Sequence, residues 1–274
     1  MSAHRHGLGH DLRRLVELGV TRRRMFGIFA GAAALPLVGA ACTTDGAGAD
    51  AVDATSGTDG APGACSTIPA ETAGPYPGDG TNGPNALAVS GIVRRDLRSS
   101  FGGPTGTAAG VPLTITLALV DASNGCAPLV GHAVYLWHCD RDGNYSMYSA
   151  AVQGENYLRG VQVTDAAGQV TFTSIFPGCY SGRWPHIHFE VYSTVAAATA
   201  GGNAIATSQL ALPKATCDVV YATGGYASSA TNLGQISLAT DNVFRDDQAA
   251  NQLATMSGSV AAGYTAMLTV GTSG

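Results

Sequence analysis

Charge is scarce in this sequence, and lysine is nearly missing. Charged residues are 12% of the 274 positions, against roughly 25% in an average soluble protein. Lys214 is the single lysine. Residues 1–41 hold six of the 14 basic and two of the 19 acidic residues, which leaves eight basic against 17 acidic, a net −9, for the rest of the chain. A surface of that sign repels phosphate, so nucleic acid is excluded as a partner. No GxxxxGKS/T loop is present, which argues against nucleotide chemistry. No CxxC pair occurs, which disfavours a zinc knuckle. Aromatic residues are 7% with two Trp, and they form no evident platform for stacking sugars. With 45% apolar residues the chain can still build a core, so it is not disordered as a whole.

One long apolar run is present. It follows Arg22, Arg23 and Arg24 in TRRRMFGIFAGAAALPLVGAAC (21–42). A positive start, an apolar middle and small residues at the end describe an export signal over 1–41. The competing reading is a membrane anchor, but the run is Gly- and Ala-rich and short of the roughly 20 residues a spanning helix needs. Thr21-Arg22-Arg23 resembles the twin-arginine signal, a route that carries folded proteins. Cys42 after Gly39-Ala40-Ala41 resembles a lipid-attachment site, with Leu37 two positions further from it than such sites prefer; lipid on Cys42 would be the chain's link to a membrane. Residues 42–64 lack apolar periodicity and read as a flexible linker. Residues 65–274 then form one domain, acting outside the cytoplasm. Five cysteines, Cys65, Cys126, Cys139, Cys179 and Cys217, follow Cys42. In an oxidising compartment they predict two disulfides and, unless Cys42 takes part, one leftover thiol, with the pairing open.

The body reads as all-β. Alternating, β-branched stretches predict strands at 111–122, 132–140, 186–192, 207–213 and 264–270, and two more within 160–175 on either side of Ala167-Gly168. Only 245–256 has a helical pattern. Short strands with Gly/Pro turns predict a two-sheet β-sandwich with little helix. No signal speaks to the oligomeric state.

Few residues could carry chemistry. His186 and His188 flank Ile187 in one strand, so both imidazoles share a face. They are either two histidines on a half-exposed sheet or two ligands of one metal ion. Tyr180, Arg183 and Trp184 stand just before them, with the turn residues Pro177-Gly178 upstream, and Tyr145 follows a strand in DRDGNYSMY. Each tyrosine alone reads as a packing residue. Together, two phenolates and two neutral imidazoles make a dianionic ligand set, which suits Fe(III) better than Cu(I) or zinc.

The segments GPYPGDG (74–80), YLWHCDRDGNY (135–145), GQVTFTSIFPGCY (168–180) and RWPHIHF (183–189) resemble the intradiol ring-cleavage dioxygenases. That family includes protocatechuate 3,4-dioxygenases and catechol 1,2-dioxygenases, and the likeness runs over about 70–210. It implies one non-haem Fe(III) per chain, held by Tyr145, Tyr180, His186 and His188. The partners implied are a catechol and O₂, with the ring cut between its hydroxyls to a cis,cis-muconate-type diacid. Tyr180 would also accept a substrate proton, and Arg183 would stabilise charge on the ring. Gly74-Pro75-Tyr76 resembles the loop beside the substrate, and Gln209 the glutamine of the following strand, at a longer spacing. Two departures stand out. Only five residues separate Tyr180 from His186, which predicts an open substrate mouth, and no helical dimerisation region is recognised. His138, where the family commonly has glutamine, reads as a structural histidine. An export signal suggests lignin-derived catechols outside the cell.

Two other classes compete. A copper/zinc enzyme of the superoxide dismutase type also uses HxH on a sandwich, but needs more histidines than His132 and His138 supply. A non-catalytic transthyretin-like or carbohydrate-binding sandwich would carry no iron.

Overall fold

The computed structural model describes residues 65–273. The expected export signal, the linker and Cys42 lie outside the described residues. In chain order the elements are β1 (Pro112–Asp121), β2 (Ala127–Pro128), β3 (Ala133–Trp137), β4 (Arg159–Val163), β5 (Gln169–Ile175), β6 (His186–Tyr192), α1 (Val195–Thr199), β7 (Ala206–Ala211), α2 (Lys214–Tyr221), α3 (Ala227–Leu233), β8 (Thr255–Ser259) and β9 (Gly263–Thr272). One sheet runs β2-β1-β9-β8, with β5 also paired to β1; the other runs β4-β3-β6-β7. This is the all-β two-sheet sandwich that the alternation predicts.

The period of two explains the packing. In β1, Leu113, Ile115, Leu117 and Leu119 point into the core, while Thr114 and Ala118 face outward. Across the sandwich, Ile187 and Phe189 of β6 and Val134 and Leu136 of β3 join the same core. The other face of β6 carries His186, His188, Glu190 and Tyr192, yet every residue of that strand is buried. Segment 72–92 and α1 cover it: Ala73, Tyr76, Ala86, Leu87 and Ile92 pack with Tyr135, Trp137 and Tyr192 there, as does Ala198 of α1. A polar sheet face roofed by irregular chain is where a site can be built.

Strands β4 and β5 flank Ala167-Gly168 as expected, but they do not pair with each other. Asp165 accepts from Gly168 N at 2.9 Å and its side chain accepts from Ala167 N and Gln169 N at 2.9 Å each. The turn hands the chain from β4, paired with β3 in one sheet, to β5, paired with β1 in the other.

The helix expected at 245–256 is absent. Gln248 and Ala249 take left-handed φ of 57° and 60°, which ends any helical run. Residues 255–256 instead open β8, and Ala254 N donates to Ala211 O at 2.9 Å, extending β7. Tertiary pairing thus overrides a weak local pattern. Among the described residues three short helices stand elsewhere. Thr194 caps α1 by accepting from Ala197 N at 3.1 Å, and Pro213 precedes α2.

Of the two disulfides expected, one forms among the described residues, Cys65–Cys126. Cys139, Cys179 and Cys217 are free and buried. Their thiols lie against carbonyls, Cys139 on Gly178 O and Cys179 on Arg183 O at 3.4 Å each. Burial raises all three thiol pKa values, that of Cys179 to about 12, so they pack as inert apolar groups. The Cys65–Cys126 bridge spans 61 residues. Loop-closure entropy then predicts that the Cys65→Ser/Cys126→Ser protein loses about 4 kcal/mol of stability. Urea titration with and without both substitutions checks this; unchanged midpoints would contradict it.

Candidate metal centre

Strand β6 sets His186 and His188 side by side, and their Nε2 atoms are 3.1 Å apart. His186 Nδ1 donates to Trp184 O at 2.6 Å, which fixes the tautomer and leaves Nε2 as a bare lone pair. The His188 ring lies flat on Trp137, centroids 4.9 Å apart at 4°.

Two loops bring the tyrosines in. After β3, the Asp140 side chain accepts from Asp142 N and Asn144 N at 2.9 Å each, winding the turn that presents Tyr145. Gly143 in that turn has φ +83°, and a Cβ there would meet Tyr180 Cβ at 2.9 Å, so glycine lets the two loops touch. From the other side α3 holds the Tyr180 loop: Ser229 Oγ accepts from Cys179 N at 2.9 Å and Asn232 Nδ2 donates to Cys179 O at 2.8 Å. The result is Tyr145 Oη at 3.3 Å and Tyr180 Oη at 3.4 Å from His186 Nε2. Tyr145 is 1% exposed, whereas Tyr180 is half-buried.

Arg183, 6% exposed, completes the cluster. Its Nη1 is 3.4 Å from His186 Nε2, and its Nη2 donates to Gln209 Oε1 at 2.7 Å. Gln209 stands directly opposite His188 in the β6–β7 register, and its Nε2 donates to Thr72 O at 2.8 Å. The longer spacing from His188 to Gln209 accommodates α1 without moving Gln209 from this place. Segment 74–77 crosses above the cluster. Gly74 has φ +71°, and a Cβ there would sit 3.3 Å from His188 Cε1. Pro75 is buried, and the Tyr76 ring lies 4.9 Å from that of Tyr145. The structure therefore brings every site residue expected from the sequence to one place.

Two residues of the site carried no recognisable sequence signal. Arg159 on β4 donates to Pro77 O at 2.8 Å and to Tyr76 O and Ser146 O at 3.0 Å each, tying the covering segment to the Tyr145 loop. Asp241 is fully buried and accepts from Arg183 Nε at 2.9 Å. A buried arginine demands a counter-charge, but which of the 17 acids supplies it depends on chain folding far from Arg183.

Burial dominates the electrostatics. It pushes the Tyr145 phenol well above its ordinary range, with the Tyr180 phenol adding to the effect. It pushes both imidazoles well below theirs, and the Arg183 charge lowers them further. Neutral imidazoles are the metal-binding form, and a buried phenol becomes a phenolate only beside a cation. Among the described residues no three His, Cys, Asp or Glu gather around one point; here two of the donors are phenols. Two hydroxyls, a guanidinium and a second imidazole all crowd the single lone pair of His186 Nε2 at 3.1–3.4 Å. One cation held about 2.0–2.1 Å from each donor would place neighbouring donors about 3.0–3.4 Å apart. The Tyr, Tyr, His, His set therefore fits one metal ion.

His138 stays outside the cluster. Its Nδ1 donates to Cys139 O and its Nε2 accepts from Ser174 Oγ, both at 2.7 Å. Burial lowers its pKa from 6.5 to about 4. The fold thus favours the neutral ring, and the unfolded chain takes up the proton first as pH falls below 6.5. Stability is expected to drop by about 3 kcal/mol from there to pH 4 on account of this residue. Denaturation at both pH values, in parent and His138→Gln proteins, tests it; equal pH slopes would refute it.

Residues 94–188 match the family model described as Dioxygenase. Over 83 residues the chain is 40% identical to a chlorocatechol 1,2-dioxygenase of Rhodococcus opacus, covering 23% of this chain and 32% of that protein. It therefore spans about a third of the length of that curated relative. In three dimensions it is similar to an intradiol ring-cleavage dioxygenase from Tetranychus urticae, with 26% identity, TM-score 0.59, and coverage of 76% of this chain and 94% of that one. A second dioxygenase crystal structure matches with 25% identity and TM-score 0.60 over the same shares of the two chains.

Proposed function

We propose, from its likeness to intradiol ring-cleavage dioxygenases, that the chain opens a catechol ring between the two hydroxyl-bearing carbons, both atoms of O₂ entering a cis,cis-muconate-type diacid. The observation that carries this reading is the convergence of Tyr145, Tyr180, His188 and Arg183 on His186 Nε2 within 3.4 Å. Tyr145, Tyr180, His186 and His188 would hold one non-haem ferric ion, which supplies Lewis-acid activation of the catecholate toward oxygen. Tyr180, the less buried of the two tyrosines, would be a phenolate beside the bound cation and would then receive a proton at Oη from an incoming catechol hydroxyl. Arg183 offers a fixed cation beside the ring and stabilises negative charge developing there. Gln209 holds one edge of that guanidinium. Pro75 and Tyr76 would form the near wall of the catechol site, with the Tyr76 ring packed on that of Tyr145. Converging donors of this kind serve no purpose in a sugar-binding or transthyretin-like module.

The substrate is a catechol without a carboxylate. A net −9 outside the export signal repels anions at long range. The site of action is extracytoplasmic, the protein being either secreted or held as a lipoprotein through Cys42 after export by the twin-arginine route, with lignin-derived catechols as natural substrates. The Arg22–Arg24 run before an apolar stretch and the Cys65–Cys126 bridge support this placement. An oxygen electrode and product mass spectrometry test the activity on a catechol panel at two ionic strengths. Expected are O₂ uptake and a product heavier than the catechol by two oxygen atoms. Protein that binds zinc, stays colourless and takes up no oxygen overturns the proposal.

A further inference from the structure

Resting on the reading of Arg183 above, we propose that Asp241 is the positioning residue that aims its guanidinium at the reacting ring. Asp241 lies 58 residues beyond Arg183, outside the matched segment 94–188, in the irregular chain between α3 and β8. Its carboxylate is buried and fully used. Oδ2 accepts from Arg183 Nε at 2.9 Å and from Trp184 N at 2.7 Å. Oδ1 accepts from Val243 N at 2.8 Å and from Phe244 N at 3.1 Å. One side chain thus grips both the guanidinium and the backbone that carries it. The same turn sets the Phe244 ring 5.9 Å from the Arg183 guanidinium carbon.

A guanidinium has three edges. Asp241 occupies Nε and Gln209 occupies Nη2, which leaves Nη1 directed at His186 Nε2. With two edges held the group cannot turn away. With Gln209 alone it pivots about one hydrogen bond. Trp184 is anchored in the same way, by Asp241 at its N–H and by Leu212 O at its indole N–H, and its own carbonyl orients His186. Asparagine cannot replace Asp241: in either amide orientation its NH₂ faces two N–H donors.

The test uses iron-loaded full chain. In Asp241→Asn, kcat for catechol falls about 10²-fold with iron content and the phenolate-to-iron absorption retained, and KM stays within about threefold. A second pair of variants removes the risk of misfolding. Arg183→Met/Asp241→Leu eliminates both buried charges together, a change that proteins tolerate. Its kcat stays within about threefold of that of Arg183→Met, because Asp241 acts chiefly through Arg183 and Trp184 keeps its second anchor, Leu212 O on the indole N–H. Wild-type kcat in Asp241→Asn, or a further loss in the double variant, overturns the proposal. Slow Arg183→Met beside fast Asp241→Asn would sink Asp241 alone. Fast Arg183→Met would sink the reading of Arg183 and this inference with it.

Discussion

Tyr145→Phe protein is expected to lose most of its visible absorption and to bind ferric iron at least about 10²-fold more weakly than the parent. The phenol is 1% exposed and has His186 Nε2 at 3.3 Å. Burial holds its proton in place unless a cation takes the oxygen's charge. Replacing Oη by hydrogen removes one anionic donor and leaves a gap that no neighbouring side chain fills. The remaining set is monoanionic and suits a trivalent ion less well. Absorption spectra and elemental analysis of both proteins measure the effect. Full colour and one iron per chain in Tyr145→Phe would remove Tyr145 from the ligand set.

Arg183→Met is expected to behave in the opposite way, retaining iron while turnover falls about 10²–10³-fold. The guanidinium is a charge donor beside the cluster and not a ligand. The substitution also exposes the price of a buried ion pair. Arg183 and Asp241 side chains are 8% and 0% exposed, and removing the cation leaves a carboxylate with no counter-charge. A loss of about 3–5 kcal/mol in stability follows. Activity assays at a temperature where the variant remains folded separate the two effects, and urea titration quantifies the second. Unimpaired turnover would assign the charge stabilisation to another group.

The fold was legible because its signals are local. Leu113, Ile115, Leu117 and Leu119 alternate with Thr114, Thr116 and Ala118, and that spacing means strand wherever it occurs. The pairing of strands was not legible. β4 and β5 adjoin the same turn yet belong to different sheets, a choice made by the cores they fill. The 245–256 stretch shows the limit of periodicity, since left-handed Gln248 and Ala249 and the pairing of Ala254 with Ala211 decide its shape. Cysteine counting failed for a related reason. Cys139, Cys179 and Cys217 are each committed to a carbonyl in the core.

By itself the sequence determined that His186 and His188 share a face, because side chains two apart on a strand must do so. It also named Tyr145, Tyr180 and Arg183 as their companions, through motifs carried on adjacent turns. Only the tertiary structure decided that this polar face is sealed from water, that Gln209 stands opposite His188, and that Asp241 rather than any other acid meets Arg183. Those contacts join residues 21 to 58 positions apart or more, and a chain fixes them by burying its apolar surface as a whole, not by any preference of the residues concerned.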